Sequence, residues 1–218
     1  LLGAIAIQEG DYASGAQLIA EALAINPSIP AVHNNLGYAL LALKRYEDAL
    51  GSFDKAIALD DRYVDAYNNR GSVLREQKRT AAALADFDRA LALKPDHPGA
   101  HANRGAALAD LNRLDGAIAA YDLALTLDPK SAVAYNNRGN AKQLLKLLEQ
   151  SILDYDQALA LNPDYAEAHH NRATALRDLK RVEEAASGFA KALALKPDYE
   201  FLLGRYVTAQ MSACEWSS

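Results

Sequence analysis

The sequence predicts an all-α protein of the repeat class, an α-solenoid built from antiparallel helix pairs, and three observations predict it. Prolines fall at 27, 95, 129, 163 and 197, all on one 34-residue ruler whose single empty mark, position 61, holds Asp61. Small residues and one aromatic recur at constant offsets from that ruler. Between them, apolar residues such as Ala83, Phe87, Ala90 and Leu91 return at helical spacing. Self-similarity at such a period marks an array of stacked units that share a continuous core.

Counting each proline mark as position 32 divides the 218 residues in order. A partial unit, 1–29, has Gly3 at position 8, Gly15 at 20, Ile19 at 24 and Ala22 at 27. Five complete units follow, at 30–63, 64–97, 98–131, 132–165 and 166–199. Unit 30–63 carries Gly37, Ala49, Phe53 and Ala56 in those columns, and unit 64–97 carries Gly71, Ala83, Phe87 and Ala90. Then come Gly105, Ala117, Tyr121 and Ala124; Gly139, Ser151, Tyr155 and Ala158; and Ala173, Ala185, Phe189 and Ala192. Small side chains let two helices approach to the near end of the usual ~8–10 Å spacing. The aromatic at position 24 fills the space they leave. Proline at 32 ends the second helix, because it cannot continue the hydrogen-bond ladder. Each unit therefore reads as helix A, a tight turn, and helix B.

The tail, 200–218, departs from the pattern. Its first part, 200–213, reads as one more helix A with Phe201, Leu202, Val207 and Ala209 for packing, but Arg205 and Val207 occupy positions 6 and 8. It ends Cys214-Glu215-Trp216 in place of the polar helix that usually caps a solenoid. With the mid-pattern start at Leu1-Leu2-Gly3, this suggests a piece of a longer chain.

Composition narrows the function. No apolar run of 18 residues could span a bilayer, and nothing resembles a signal peptide, so the expected partner is not a membrane and the expected location is cytoplasmic. A net charge of −5 without any Lys/Arg block argues against nucleic acid. The single cysteine, Cys214, cannot form an internal disulfide or a cysteine-based metal site. His33, His101 and His169 share position 4 two units apart, roughly 16–20 Å, too far to share an ion. They read as packing residues, and neither metal nor other cofactor is expected. Phosphate loops, nucleophile elbows and His-Glu-x-x-His are all missing, so this segment reads as non-catalytic.

The columns resemble the tetratricopeptide repeat (TPR) family, whose signature is an aromatic at 4, a large apolar residue at 7, Gly at 8, Ala at 20, an aromatic at 24, Ala at 27 and Pro at 32. The match runs through practically the whole chain, with two departures. Position 4 alternates His33, Tyr67, His101, Tyr135, His169, and position 7 is mostly arginine. The resemblance implies a partial right-handed superhelix whose helix-A positions 2, 5, 6, 9, 12 and 13 face a concave groove.

Two constellations follow. Arg70, Arg104, Arg138 and Arg172 stand at position 7, each sixteen residues after Asp54, Asp88, Asp122 and Asp156 at position 25 of the preceding unit. Where position 25 is Ala20 or Ala190, the next position 7 is Leu36 or Tyr206. The columns switch together, either because each pair joins helix B of one unit to helix A of the next, or because one ancestral unit was duplicated. Such pairs set register more than net stability.

Position 6 is asparagine throughout, Asn35, Asn69, Asn103, Asn137 and Asn171, and position 5 adds Asn34, Asn68 and Asn136. On the TPR pattern this column lines the groove, together with Asn140. A carboxamide can pair with both the C=O and N–H of a peptide unit. Rungs ~8–10 Å apart would meet about every third residue of an extended peptide rising ~3.3 Å per residue. Asparagine is also frequent at position 6 of ordinary TPRs, so the column reads either as a peptide ladder or as family consensus. Around it Asp65, Ser72, Arg75, Glu76, Asp110, Gln143, Glu167, Thr174, Arg177 and Asp178 leave no strong net sign. No arginine occupies position 6 of a complete unit, which argues against a carboxylate clamp.

The tail resembles the junction in bacterial relatives of the O-linked N-acetylglucosamine transferase, where asparagine-bearing TPRs meet the catalytic domain through a Cys-Asp/Glu-Trp segment. That resemblance implies a substrate-recognition arm. The alternatives are a free-standing adaptor or scaffold, and end-to-end self-association through Leu1-Leu2 and Phe201-Leu202.

Overall fold

The structure is a computed structural model that describes residues 2–197. The expectations for the tail (the 200–213 helix, Phe201-Leu202, Tyr206 and Cys214-Glu215-Trp216) lie outside the described residues, as does Leu1. The described residues form twelve α-helices and no strand. These are α1 (Leu2–Gln8), α2 (Tyr12–Ile25), α3 (Pro30–Ala42), α4 (Tyr46–Leu59), α5 (Val64–Glu76), α6 (Thr80–Leu93), α7 (Pro98–Asp110), α8 (Leu114–Leu127), α9 (Ala132–Leu144), α10 (Leu148–Leu161), α11 (Ala166–Asp178) and α12 (Val182–Leu195). Odd-numbered helices are A helices and even-numbered ones B helices. The chain divides into two compact units, residues 1–111 and 112–218.

In the first unit α3 packs on α4 and α5 on α6, and each B helix packs on the following A helix. Successive A helices also meet directly, α3 on α5 and α5 on α7, whereas successive B helices come together far less. This unit therefore curves with its A helices inside. In the second unit α9 packs on α10, α11 on α12, and α9 meets α11 on the same inner side.

The small-residue columns permit this. Phe53, Phe87, Tyr155 and Phe189 are fully buried, each between small residues of positions 20 and 27. A Cβ added to Gly37 would lie 2.6 Å from Phe53 Cε1, and one on Gly71 or Gly139 would lie 2.7 Å from Phe87 or Tyr155. The ring occupies the volume that any side chain at position 8 would need. Position 8 becomes Ala173 in α11, where the facing residue is Gly188, and a Cβ there would meet the Ala173 Cβ at 3.0 Å. One methyl group is traded across the interface.

The A-to-B turn holds a feature that its residues hide. Lys44, Lys78, Asn112, Lys146 and Lys180 all have φ between 56° and 63°, and Gly10 holds the equivalent place at 83°. In the 30–63 repeat Lys44 N–H donates to Leu41 O and Arg45 N–H to Leu40 O, both at 2.9 Å, which makes a Schellman cap. Lys78 with Arg79, Lys146 with Leu147, and Lys180 with Arg181 repeat it. Lysine is not a left-handed signal, so the sequence did not reveal this cap.

The B-to-A turn explains why Asp61 can replace proline. The residue before the mark, Asn26, Asp60, Asp128 or Asn162, accepts a hydrogen bond on its side-chain oxygen from the N–H two residues on, at 2.9–3.2 Å. This Asx turn bends the chain whether or not a proline follows.

Candidate functional site: the inner faces and the joints between repeats

All five position-6 asparagines are half-buried on A helices. In the first unit Asn69 Nδ2 donates to Asn34 Oδ1 at 3.0 Å, and Asn103 Nδ2 donates to Asn68 Oδ1 at 3.0 Å and to Ser72 Oγ at 3.3 Å. In the second, Asn171 Nδ2 donates to Asn136 Oδ1 at 3.0 Å. Each asparagine-to-asparagine bond spans 35 residues, from position 6 of one repeat to position 5 of the repeat before it. Among the described residues the side chains of Asn35 and Asn137 make no hydrogen bond.

Position 5 offers less to a ligand than position 6. Asn136 is 0% exposed, with its oxygen taken by Asn171 and its own Nδ2 donating to Glu167 Oε1 at 3.3 Å. A ligand cannot reach it in this structure, because the stacked repeats bury it. Asn68 faces the same demand from Asn103. Asn140 Oδ1 and Gln143 Oε1 both lie against Tyr155 Oη, at 2.8 and 2.7 Å. Burial, with Asp154 and Glu167 nearby, pushes the Tyr155 phenol well above its ordinary pKa, so it stays protonated and donates.

The position-7 arginines lie against the position-25 aspartates. Arg70 Nη1 is 2.7 Å from Asp54 Oδ1 and Arg104 Nε is 2.6 Å from Asp88 Oδ1 in the first unit. In the second, Arg138 Nη1 is 2.6 Å from Asp122 Oδ1 and Arg172 Nε is 2.6 Å from Asp156 Oδ1. Two further carboxylates escaped the sequence reading. Asp86, at position 23 of the 64–97 repeat, accepts from both Arg70 Nε (2.8 Å) and Nη2 (2.6 Å). Asp154, at the same position of the 132–165 repeat, accepts from Arg138 Nε at 3.0 Å and Nη2 at 2.5 Å, with Lys142 Nζ 2.8 Å from its other oxygen. Both aspartates are buried.

Hydrogen bonds donated to Asp86, opposed by burial and aided by Asp54, raise the Arg70 pKa above its already high ordinary value. For Arg138, burial disfavours the charge, and Asp154 and Asp122 more than offset it. Arg70 and Arg138 also stand over the rings of Tyr67 and Tyr135, 5.6 and 5.4 Å from the centroids. A readable signal existed: position 23 runs Ser52, Asp86, Ala120, Asp154, Gly188, so aspartate occurs there only where position 4 is tyrosine.

The position-4 histidines take the other state. His33, His101 and His169 donate Nε2–H to the carbonyls of Pro27, Pro95 and Pro163 at 2.8–2.9 Å, pinning the inter-repeat turn. Among the described residues no cluster of three His, Cys, Asp or Glu could hold a metal ion, and no helix is long and apolar enough to cross a membrane.

Comparison with known proteins agrees with this geometry. Family models described as tetratricopeptide repeat match residues 1–67, 34–98, 68–132, 132–165 and 154–186. No curated protein is significantly similar in sequence. Among solved structures, the thermophilic TPR protein TTC0263 of Thermus thermophilus is 25% identical over 84% of this chain and 99% of its own, with a TM-score of 0.70. PilW, a widely conserved type IV pilus biogenesis factor, is 22% identical over 93% and 94%, with a TM-score of 0.85. YrrB, a TPR protein with an unusual peptide-binding site, is 22% identical over 87% and 98%, with a TM-score of 0.66. The chain belongs to the tetratricopeptide repeat family and is a TPR-type protein-interaction scaffold.

Proposed function

We propose that the chain holds an extended segment of a partner protein along the inner faces of its A helices, with peptide units pairing to the position-6 asparagines. One observation carries the reading. All five of these asparagines remain half-exposed on the inner side, and the three that bond to a neighbouring repeat do so through Nδ2, Asn69 and Asn171 to one acceptor and Asn103 to two, leaving the carboxamide oxygen for a ligand. YrrB, a protein of the same fold, has a peptide-binding site, which supports the reading without locating it here. The Asp–Arg joints, in this proposal, keep successive rungs in register.

The test is a titration with a permanently unfolded reporter polypeptide, followed through the side-chain amide resonances of Asn35, Asn69, Asn103, Asn137 and Asn171. These should shift together while residues on the outer faces of the B helices stay put. Shifts confined to B helices, or none, would refute it.

A second reading concerns the parent protein. The Cys214-Glu215-Trp216 segment favours the recognition arm of an O-GlcNAc-transferase-like enzyme, with the nucleotide-sugar site elsewhere. Near-complete coverage of TTC0263, PilW and YrrB instead supports an adaptor that works without a linked enzyme. Sequencing the gene beyond the Ser218 codon decides: an α/β domain in frame supports the arm, and any other continuation rules it out.

A further inference from the structure

The charge clusters around Arg70 and Arg138 differ by one cation. In the second unit position 11 is Lys142, whose Nζ lies 2.8 Å from Asp154 Oδ2. Arg138 and Lys142 there balance Asp122 and Asp154. In the first unit position 11 is Leu74, so Arg70 alone faces Asp54 and Asp86, and one negative charge is left over. The rest of the column, Leu40, Leu108 and Leu176, is buried leucine, which makes Lys142 the exception.

Beside the Arg70 cluster the first unit has an open cavity of about 610 Å³ between α4, α5 and α6. Asp54, Arg70 and Asp86 line it, and Leu50 and Leu74 give it an apolar side. Glu47 and Arg79, also on its wall and both exposed, cancel in sign. Gly51 faces the same space. A Cβ on Gly51 would meet nothing within 4 Å, so packing does not require a glycine there, although glycine weakens a helix interior relative to alanine. The other complete units carry Ala85, Ala119, Leu153 and Ser187 in that column. What Gly51 provides is a cavity wall without a side chain.

We propose that this cavity receives the side chain of a lysine from a partner protein, in the role that Lys142 fills for Asp154 within the chain. The ammonium donates to Asp86 Oδ2, which takes one hydrogen bond, from Arg70 Nε, where Asp154 Oδ2 takes two donors. The aliphatic stem lies along Leu50 and Leu74. A guanidinium fits less well, because Arg70 already spans both oxygens of Asp86 through Nε and Nη2 and leaves no parallel pair of acceptors for a second fork. The site uses none of the inner asparagines, so it stands or falls independently of the peptide-holding reading.

The experiment titrates the full chain with short, end-blocked glycine peptides bearing one central lysine, arginine, norleucine or Nε-acetyl-lysine. Backbone amide resonances of Gly51, Asp54, Leu74 and Asp86 report occupancy. The lysine peptide should shift them saturably and bind about tenfold tighter than the norleucine and acetyl-lysine peptides, the margin of one charge-assisted hydrogen bond. Gly51→Gln places a side chain in the cavity where a Cβ meets no obstacle, and should erase that margin with an unchanged far-UV circular dichroism spectrum. Leu74→Lys supplies the ammonium from within and should erase it as well. Acetyl-lysine or arginine binding as tightly as lysine, a margin that survives Gly51→Gln, or no shift of these resonances overturns the proposal. Spermidine binding more tightly than the lysine peptide would assign the cavity to free polyamines and overturn the protein partner.

Discussion

Arg70 and Arg104 occupy the same column, one repeat apart in one unit, yet they sit in different joints. Arg70 is gripped by two carboxylates, Asp54 of the preceding repeat and buried Asp86 of its own, and its side chain is 24% exposed. Arg104 has Asp88 alone and is 35% exposed. The second unit repeats the contrast, with Arg138 held by Asp122 and Asp154 and Arg172 by Asp156. An arginine at position 7 therefore has no fixed value. Position 23 decides whether it is a rim ion pair or the bridge of a buried triad, so the mechanical unit of this array is two repeats long.

The largest expected effect comes from breaking a triad. Arg70→Ala strands Asp86 in a buried site and should cost about 3 kcal/mol or more, read as a lowered urea midpoint. An unchanged midpoint would show that Asp86 finds water or another cation, and would erase the contrast.

A middle-sized effect comes from building a triad where there is none. Gly188→Asp alone collides with the Ala173 methyl group, so the double variant Ala173→Gly, Gly188→Asp is needed to bring a second carboxylate toward Arg172. In that background Arg172→Ala should cost about 1 kcal/mol more than in the parent, a coupling readable from a double-mutant cycle. Zero coupling would mean that position 4, where tyrosine accompanies the natural triads, is also required.

The smallest effect is Arg104→Ala. Asp88 is exposed, so the loss should be about 0.5 kcal/mol, and it should vanish near 1 M salt, where the screening length falls to about 3 Å. The Arg70→Ala loss should persist in the same salt. Equal salt sensitivity would place both joints at the surface.

Several parts of this molecule were legible before its structure. The proline marks, the glycines at position 8 and the aromatics at position 24 define a helix pair, because each reports a local necessity: ending a helix, allowing close approach, filling the gap. The joint switching of positions 25 and 7 pointed to Arg70 beside Asp54 and its equivalents. Position 23 also varied in step, and its signal was visible in Asp86 and Asp154. The inner column was harder to read. Asn136 looks like Asn137 in the sequence, and nothing in their identity says that one carboxamide is buried and bonded to the next repeat while the other is half-exposed. The Schellman caps were hidden for a similar reason, since Lys78 adopts φ > 0 only because the helices on either side must reverse within three residues.

What the sequence determined by itself is the repeat: its period, its two helices and the small residues that let them touch, all consequences of backbone sterics and of spacing along one chain. Only the tertiary structure decided which polar groups remain for a partner. Hydrogen bonds between residues 35 apart, and carboxylates sixteen residues to either side of one arginine, exist only once helices are stacked. Stacking removes some amides from solvent, as it does Asn136, and leaves the position-6 amides half-exposed.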